Sequence, residues 1–241
     1  MGKYLNMKKL TIFFVLLLCV SSSYSKAYAA LGFHIDFGQD ENYESIWPLS
    51  KGEEVSIDVY VSGVPDAGLR AMGFVINYDF SKFQIISEGT SVNDLWTGKF
   101  LDKSVPGKID MAGFKIGSGV VGVGGKDIKL GTIQMRRLQS GGADLILSDR
   151  GATVDSFVLA DEQGTVLDGD IPEEGVVLST IIEKGDVNAD GNINLSDAII
   201  VLKLMMRISV PASHLSADVN GDGKIGMAEA IYILQDLAGL R

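Results

Sequence analysis

Residues 54–65 read Glu-Val-Ser-Ile-Asp-Val-Tyr-Val-Ser-Gly-Val-Pro. Val55, Ile57, Val59 and Val61 recur at every second position, with Glu54, Ser56, Asp58 and Tyr60 between them. That is the period of a strand with one buried face and one wet face, and Ser-Gly-Val-Pro ends it. Further along the chain, segments 71–78, 83–87, 108–114, 129–135, 143–147, 156–160, 165–168 and 176–182 read as strands too, and Asp161-Glu-Gln-Gly164 as a hairpin turn. Short strands, Gly-rich connections and no long helical period predict a mainly β fold, an antiparallel β-sandwich over residues 30–182.

Before the sandwich, Lys3, Lys8 and Lys9 precede an apolar run from Leu10 to Val20, and a polar stretch then ends in Ala27-Tyr28-Ala29. This is the pattern of a secretory signal peptide over residues 1–29, since the apolar run is too short to span about 30 Å of hydrocarbon. Export is therefore expected, to a secreted, periplasmic or cell-surface address, with no membrane span in the mature chain. The one cysteine, Cys19, lies inside that segment and lacks the small preceding residue of a lipidation site. The mature chain thus has no disulfide and no thiolate chemistry. With the four lysines of the signal set aside, 17 basic side chains face 31 acidic ones, a formal charge of −14. Such a surface repels nucleic acid and anionic lipid, and makes cations the ligands to look for.

Beyond the sandwich, two segments align without gaps: Gly185-Asp-Val-Asn-Ala-Asp-Gly-Asn-Ile-Asn-Leu-Ser-Asp197 and Ala217-Asp-Val-Asn-Gly-Asp-Gly-Lys-Ile-Gly-Met-Ala-Glu229. Each fits a twelve-residue calcium loop, with oxygen ligands at positions 1, 3 and 5, a turn glycine at 6, a carbonyl at 7 and a closing carboxylate at 12. The first loop supplies Asp186, Asn188, Asp190, Asn192 and Asp197, with Asn194 at position 9. The second supplies Asp218, Asn220, Asp222, Lys224 through its carbonyl, and Glu229; Gly226 at position 9 offers no side chain. Two Ca2+ ions are expected. Alternate residues of a tight turn aim their oxygens at one hard cation, and Gly191 and Gly223 give the turn its freedom. Asp197 reaches less far than Glu229, so the two affinities should differ. Ile193 and Ile225 at position 8 are apolar plugs that would pair the loops.

Helical spacing follows each loop, over 195–206 with Ala198, Ile199, Val201, Leu202 and Met205, and over 227–240 with Ala230, Ile231, Ile233, Leu234 and Leu237. One face of each helix is expected to form a core. Pro211 bars continuation of the first helix. No helix is expected before Asp186, because 176–182 is a β-branched run.

Loop then helix, twice, opened by G-D-V-N-x-D-G and A-D-V-N-x-D-G, resembles a dockerin, over residues 183–241. The resemblance implies docking onto a cohesin-type module through loop positions 10 and 11 and the following helix face. These positions carry over to Leu195, Ser196, Lys203 and Met206, then Met227, Ala228 and Gln235. Leu195 and Met227 read equally as core, and Lys203 as a solvated face. Leu-Ser and Met-Ala replace the Ser-Thr that many dockerins carry at positions 10 and 11, which leaves partner specificity open. The run at 54–65 followed by Met72-Gly-Phe-Val-Ile-Asn-Tyr-Asp-Phe-Ser-Lys-Phe83 resembles a cohesin, the sandwich that receives dockerins and is related to some carbohydrate-binding modules.

The leading expectation is a non-catalytic, exported assembly protein, active in polysaccharide degradation or a cell-surface complex, docking a cohesin-type module in another chain or head-to-tail in its own kind. A carbohydrate-binding module with a calcium-stabilised anchor is the alternative. It would use exposed aromatics, Trp47 and Trp96 first and then Tyr60 and Tyr78, unless the tryptophans plug the sandwich. A small glycoside hydrolase is a third reading, since carboxylate separations are a tertiary quantity. The sandwich holds a single histidine, His34, and no Ser-His-Asp set is apparent. Gly117-Ser-Gly-Val-Val-Gly122 satisfies G-x-G-x-x-G, yet Val-Gly-Gly-Lys after it cannot open a helix, so it reads as a loop.

Overall fold

The computed structural model describes residues 30–116, 122–151, 155–167, 171–210 and 215–240. The signal segment with Cys19, most of the 117–122 glycine run, Asp168, Pro211 and His214 lie outside the described residues. In chain order the elements are β1 (Gly32–Phe37), β2 (Ile46–Pro48), β3 (Glu54–Ser62), β4 (Leu69–Asn77), β5 (Phe83–Ile85) and β6 (Ser91–Val92). They continue as β7 (Gly98–Asp102), β8 (Lys108–Phe114), β9 (Asp127–Arg137), β10 (Ala143–Ser148), β11 (Phe157–Leu159) and β12 (Val176–Ile182). Two helices close the chain, α1 (Leu195–Met205) and α2 (Met227–Leu237).

One sheet runs β1-β3-β9-β5, with β6 also on β9; the other runs β2-β12-β10-β4-β8-β7, with β11 on β4. Pairing is antiparallel except between β2 and β12. The alternation at 55–61 is obeyed: Val55, Ile57, Val59 and Val61 are buried and share one core with Phe74, Ile76, Ile109 and Met111. Each such side chain taken fully from water contributes roughly 1.5–3 kcal/mol. Asp58 points to the other face as expected, yet it is buried, because Gln39, Thr132 and Lys129 all bond its carboxylate. Segment 165–168 makes no strand within the described residues, only a bridge from Val166 to Val158 across the 161–164 turn. Four strands, β1, β2, β6 and β7, go beyond those expected from alternation; they are short, interrupted by Gly or Pro, or on an edge.

α1 and α2 pack on each other around a second, separate cluster of Val187, Ala198, Val201, Ala217, Ala230 and Ile233, with Ile193 and Ile225 against it as expected of the plugs. Both helices stop earlier than their spacing predicts. Arg207 (φ 58°) and Gly239 (φ 65°) turn left-handed, and Ile208 N–H then reaches Lys203 O as Leu240 N–H reaches Gln235 O. That six-to-one closure ends a helix without help from proline.

Candidate calcium centre and docking faces

β12 ends at Ile182, and within four residues the chain has entered the first loop. Asp186 is completely buried; its Oδ1 accepts from Asp190 N (3.1 Å) and its Oδ2 from Gly191 N (2.9 Å). Asp197, also buried, closes the loop: Oδ1 accepts from Val187 N (2.9 Å) and Asn188 N (3.2 Å), and Oδ2 from Asn194 N (2.9 Å). Asp190 Oδ1 accepts from Asn192 N, and Asp190 Oδ2 from the Asn188 amide. The second loop repeats the plan. Asp218 accepts from Asn220 N, Gly221 N and Gly223 N, and Glu229 from Val219 N and Gly226 N. Asp222 accepts from Lys224 N and the Asn220 amide. Positive φ falls at positions 4 and 6 of both loops, at Ala189 and Gly191 and at Gly221 and Gly223. The two rings of oxygens are therefore built on the same backbone.

These residues fit calcium on their own chemistry. Burial pushes the Asp186 carboxyl up to about 6; the Gly191 amide opposes this, and the charges of Asp197 and Asp190 add to it. Burial likewise raises Asp197. A dehydrated carboxyl crowded by others is short of positive charge. Among the described residues no three Asp, Glu, His or Cys side chains gather as a metal cluster. The loops instead mix carboxylate, asparagine and backbone carbonyl, which suits a hard cation and not a transition metal. Asn194 serves the helix as well as the loop, since its Oδ1 accepts from Ser196 N (2.8 Å) and caps α1.

The helices correct one expectation. Ala198, Val201, Ala230 and Ile233 are buried, but Ile199, Leu202 and Met205 are exposed, as are Ile231, Leu234 and Leu237. The pair presents too narrow a contact to cover a stripe that wide. The exposed residues correspond one to one between the repeats, Leu202 at 48% and Leu234 at 52%. Leu195, Ser196, Lys203, Met206, Met227 and Gln235 are exposed and Ala228 partly so, which puts all seven expected contact positions on open surface and takes Leu195 and Met227 out of the core. Spacing supplies the stripe without telling which part of it faces water.

On the sandwich, Phe114 lies over Gly98 and Phe100 stands across from Ala112 on the outer side of β7 and β8. Both rings are exposed. The Arg150 guanidinium sits 5.1 Å above Phe100 while gripping Asp110 at 2.7 and 3.1 Å. One expected sugar platform is closed. Trp96 is 1% exposed and packs beneath Gly113, so it has no face to offer and plugs the sandwich. Trp47 is half-buried against the core with one face stacked on Phe37 at 4.9 Å.

The sequence matches the Cohesin domain family over residues 50–172, just over half of the chain, and the Dockerin type I domain family over residues 184–237. No curated protein matches it. Among solved structures it is similar to the sixth cohesin of scaffoldin B from Acetivibrio cellulolyticus, solved with a dockerin, at 16% identity and TM-score 0.45, covering 64% of this chain and 99% of that one. It is also similar to the seventh type I cohesin of ScaB from Pseudobacteroides cellulosolvens, at 18% identity and TM-score 0.47, covering 64% of this chain and 92% of that one. A third is a type III cohesin module from a cell-surface anchoring scaffoldin of Ruminococcus flavefaciens, at 17% identity and TM-score 0.47, covering 64% and 87%.

Proposed function

The chain belongs to the cohesin family and continues into a dockerin type I domain, and from that premise we propose that it is an exported, non-catalytic docking protein divided into a signal peptide (1–29), a sandwich (30–182) and a two-calcium docking module (183–241). The carrying observation is the pair of matched apolar faces: Leu195, Ile199 and Leu202 on α1 repeat as Met227, Ile231 and Leu234 on α2, all exposed. Monomeric soluble proteins rarely leave contiguous apolar surface of this kind without a partner. Calcium supplies the positive charge that lets Asp186, Asp190 and Asp197, and Asp218, Asp222 and Glu229, converge without repelling. With the ions bound, the loops fix the start of each helix and hold the faces for a cohesin-type sandwich in another chain, or in a second copy of this one. The Phe100, Phe114 and Arg150 surface is the counterpart this chain offers to a dockerin.

Capture of a cohesin-type module by the immobilised chain tests the reading, with calcium or with chelator. Leu202→Asp together with Leu234→Asp should abolish capture while leaving calcium uptake intact. Undiminished capture by that double variant, or by the chelated protein, would sink the proposal.

A further inference from the structure

Arg137, the last residue of β9, is completely buried, and its guanidinium spends its donors on carbonyls: Nε on Gln139 O (3.0 Å), Nη2 on Gly141 O (2.6 Å) and Nη1 on Ile182 O (2.9 Å). Glu183, itself buried, faces it at 3.8 Å. One side chain thus ties the β9–β10 turn to the end of β12, four residues before Asp186. Lys82 holds the same turn from the other side, its Nζ donating to Gly142 O (2.7 Å).

The tip of that turn, Gly141-Gly142, rests directly on the first calcium loop. Gly142 N donates to Gly191 O (3.3 Å), and a Cβ on Gly191 would stand 2.8 Å from Gly142 N. The contact is backbone on backbone, and glycine is needed because nothing larger leaves the chains that close. Gly191 also donates its own N–H to Asp186 Oδ2, so one residue joins the position-1 ligand to the sandwich. A closed path results, from Asp186 through Gly191, Gly142, Gly141 and Arg137 to Ile182 and back along the chain. The glycines of the second loop make no such contact, since a Cβ on Gly221, Gly223 or Gly226 would meet nothing within 4 Å; on that side the sandwich is met before the loop, where Leu215–Ala217 lies beside β2.

We propose that calcium in the first loop is coupled to the sandwich through the Arg137–Gly142–Gly191 junction, so that this ion orders the β9–β10 turn and fixes the docking helices in one orientation, while the second ion binds independently. The proposal rests on the reading that both loops take calcium.

Hydrogen exchange of peptide 138–144 in the full chain, with calcium alone as ligand, tests it beside a calorimetric titration that counts the ions. At calcium about 100 times its dissociation constant, a fully coupled amide slows about a hundredfold relative to chelator. Gly142→Leu, at a position whose φ is ordinary, should bind two ions and lose that slowing. Asp190→Ala, an exposed ligand of the first loop, should lose it too, whereas Asp222→Ala in the second should keep it. Two ions bound with exchange in 138–144 unchanged, or equal effects of the two aspartate variants, overturns the coupling. A titration that finds no calcium binding overturns the underlying reading as well, and is told apart by the count.

Discussion

The two calcium loops are copies in sequence and backbone and yet differ in surroundings. The first lies against the sandwich, with Asp186 sealed from solvent, whereas Asp218 remains partly exposed; the closing carboxylates Asp197 and Glu229 are buried alike. Burial drives the Asp186 carboxyl upward to about 6. At Asp218 burial also pushes upward, but the amides of Gly223, Gly221 and Asn220 outweigh it and hold the carboxyl below its ordinary range. The same carboxylate at the same loop position thus costs more to ionise in one copy than in the other. Duplication transmits the ligand plan; the energy of each site is set by what packs on it.

Removing both ions should have the largest effect. The second cluster consists of six buried residues, three of them alanines, which is little core to hold two helices. Each bound ion stabilises by about 2.7 kcal/mol at calcium 100 times its dissociation constant. Chelation should therefore melt α1 and α2, seen as lost helical circular dichroism, while the sandwich signal persists. Superimposable melts with and without calcium would contradict this.

A sharper test replaces one position-1 aspartate at a time. Asp186→Ala strands two part-buried amides, those of Asp190 and Gly191, and should cost about 2 kcal/mol beyond the lost ion. Asp218→Ala frees amides near solvent, which water can satisfy, and should cost about 1 kcal/mol. Chemical denaturation at saturating calcium, less the binding energy of the lost ion from calorimetric titration, measures both; equal costs would erase the contrast between the loops.

The helices that follow carry the comparison to binding. Leu202→Asp and Leu234→Asp, each alone, should leave stability within about 0.5 kcal/mol, since both side chains are already exposed. If one helix face dominates docking, one variant weakens capture about thirtyfold, roughly 2 kcal/mol, and the other hardly at all. Equal, small losses would mean either face can serve. Titration of a cohesin-type module against each variant decides.

Legibility in the sequence follows the range of the interactions. The strand at 54–62 and the two loops are written in local periods, two residues in one case and fixed ligand offsets in the other, and both are readable. So is the missing entering helix, because a β-branched run stands in its place. Arg137 is not: an arginine ending a strand reads as solvated, and only the convergence of two carbonyls of the following turn with the distant one of Ile182 makes its burial tolerable. Ile199 and Leu202 look like core from their spacing for a related reason. Helical spacing names a stripe, and how much of it is covered depends on a neighbour the period does not contain. Trp96 shows the reverse case, a residue attractive as a sugar platform until Gly113 is seen to make room for its ring.

The smallest expected difference lies at the helix starts. Asn194 caps α1 with its side chain, and the Asp197 carboxylate answers by accepting from Asn194 N, a reciprocal box. α2 has only half of that arrangement: Glu229 accepts from Gly226 N, but glycine has no side chain to return the bond. Gly226 has an extended backbone (φ −157°), and a Cβ there would meet nothing within 4 Å, so a side chain fits without strain. Gly226→Asn should therefore stabilise α2 by a few tenths of a kcal/mol, and Asn194→Ala should weaken α1 by about 1 kcal/mol. Both are measured in calcium beside a calorimetric titration, because a gain from Gly226→Asn that comes with tighter calcium binding would mean the new oxygen has become a ligand, as position 9 is in the first loop's pattern. A gain at unchanged calcium affinity assigns it to capping and leaves surroundings, not ligand count, as the source of the loops' inequality.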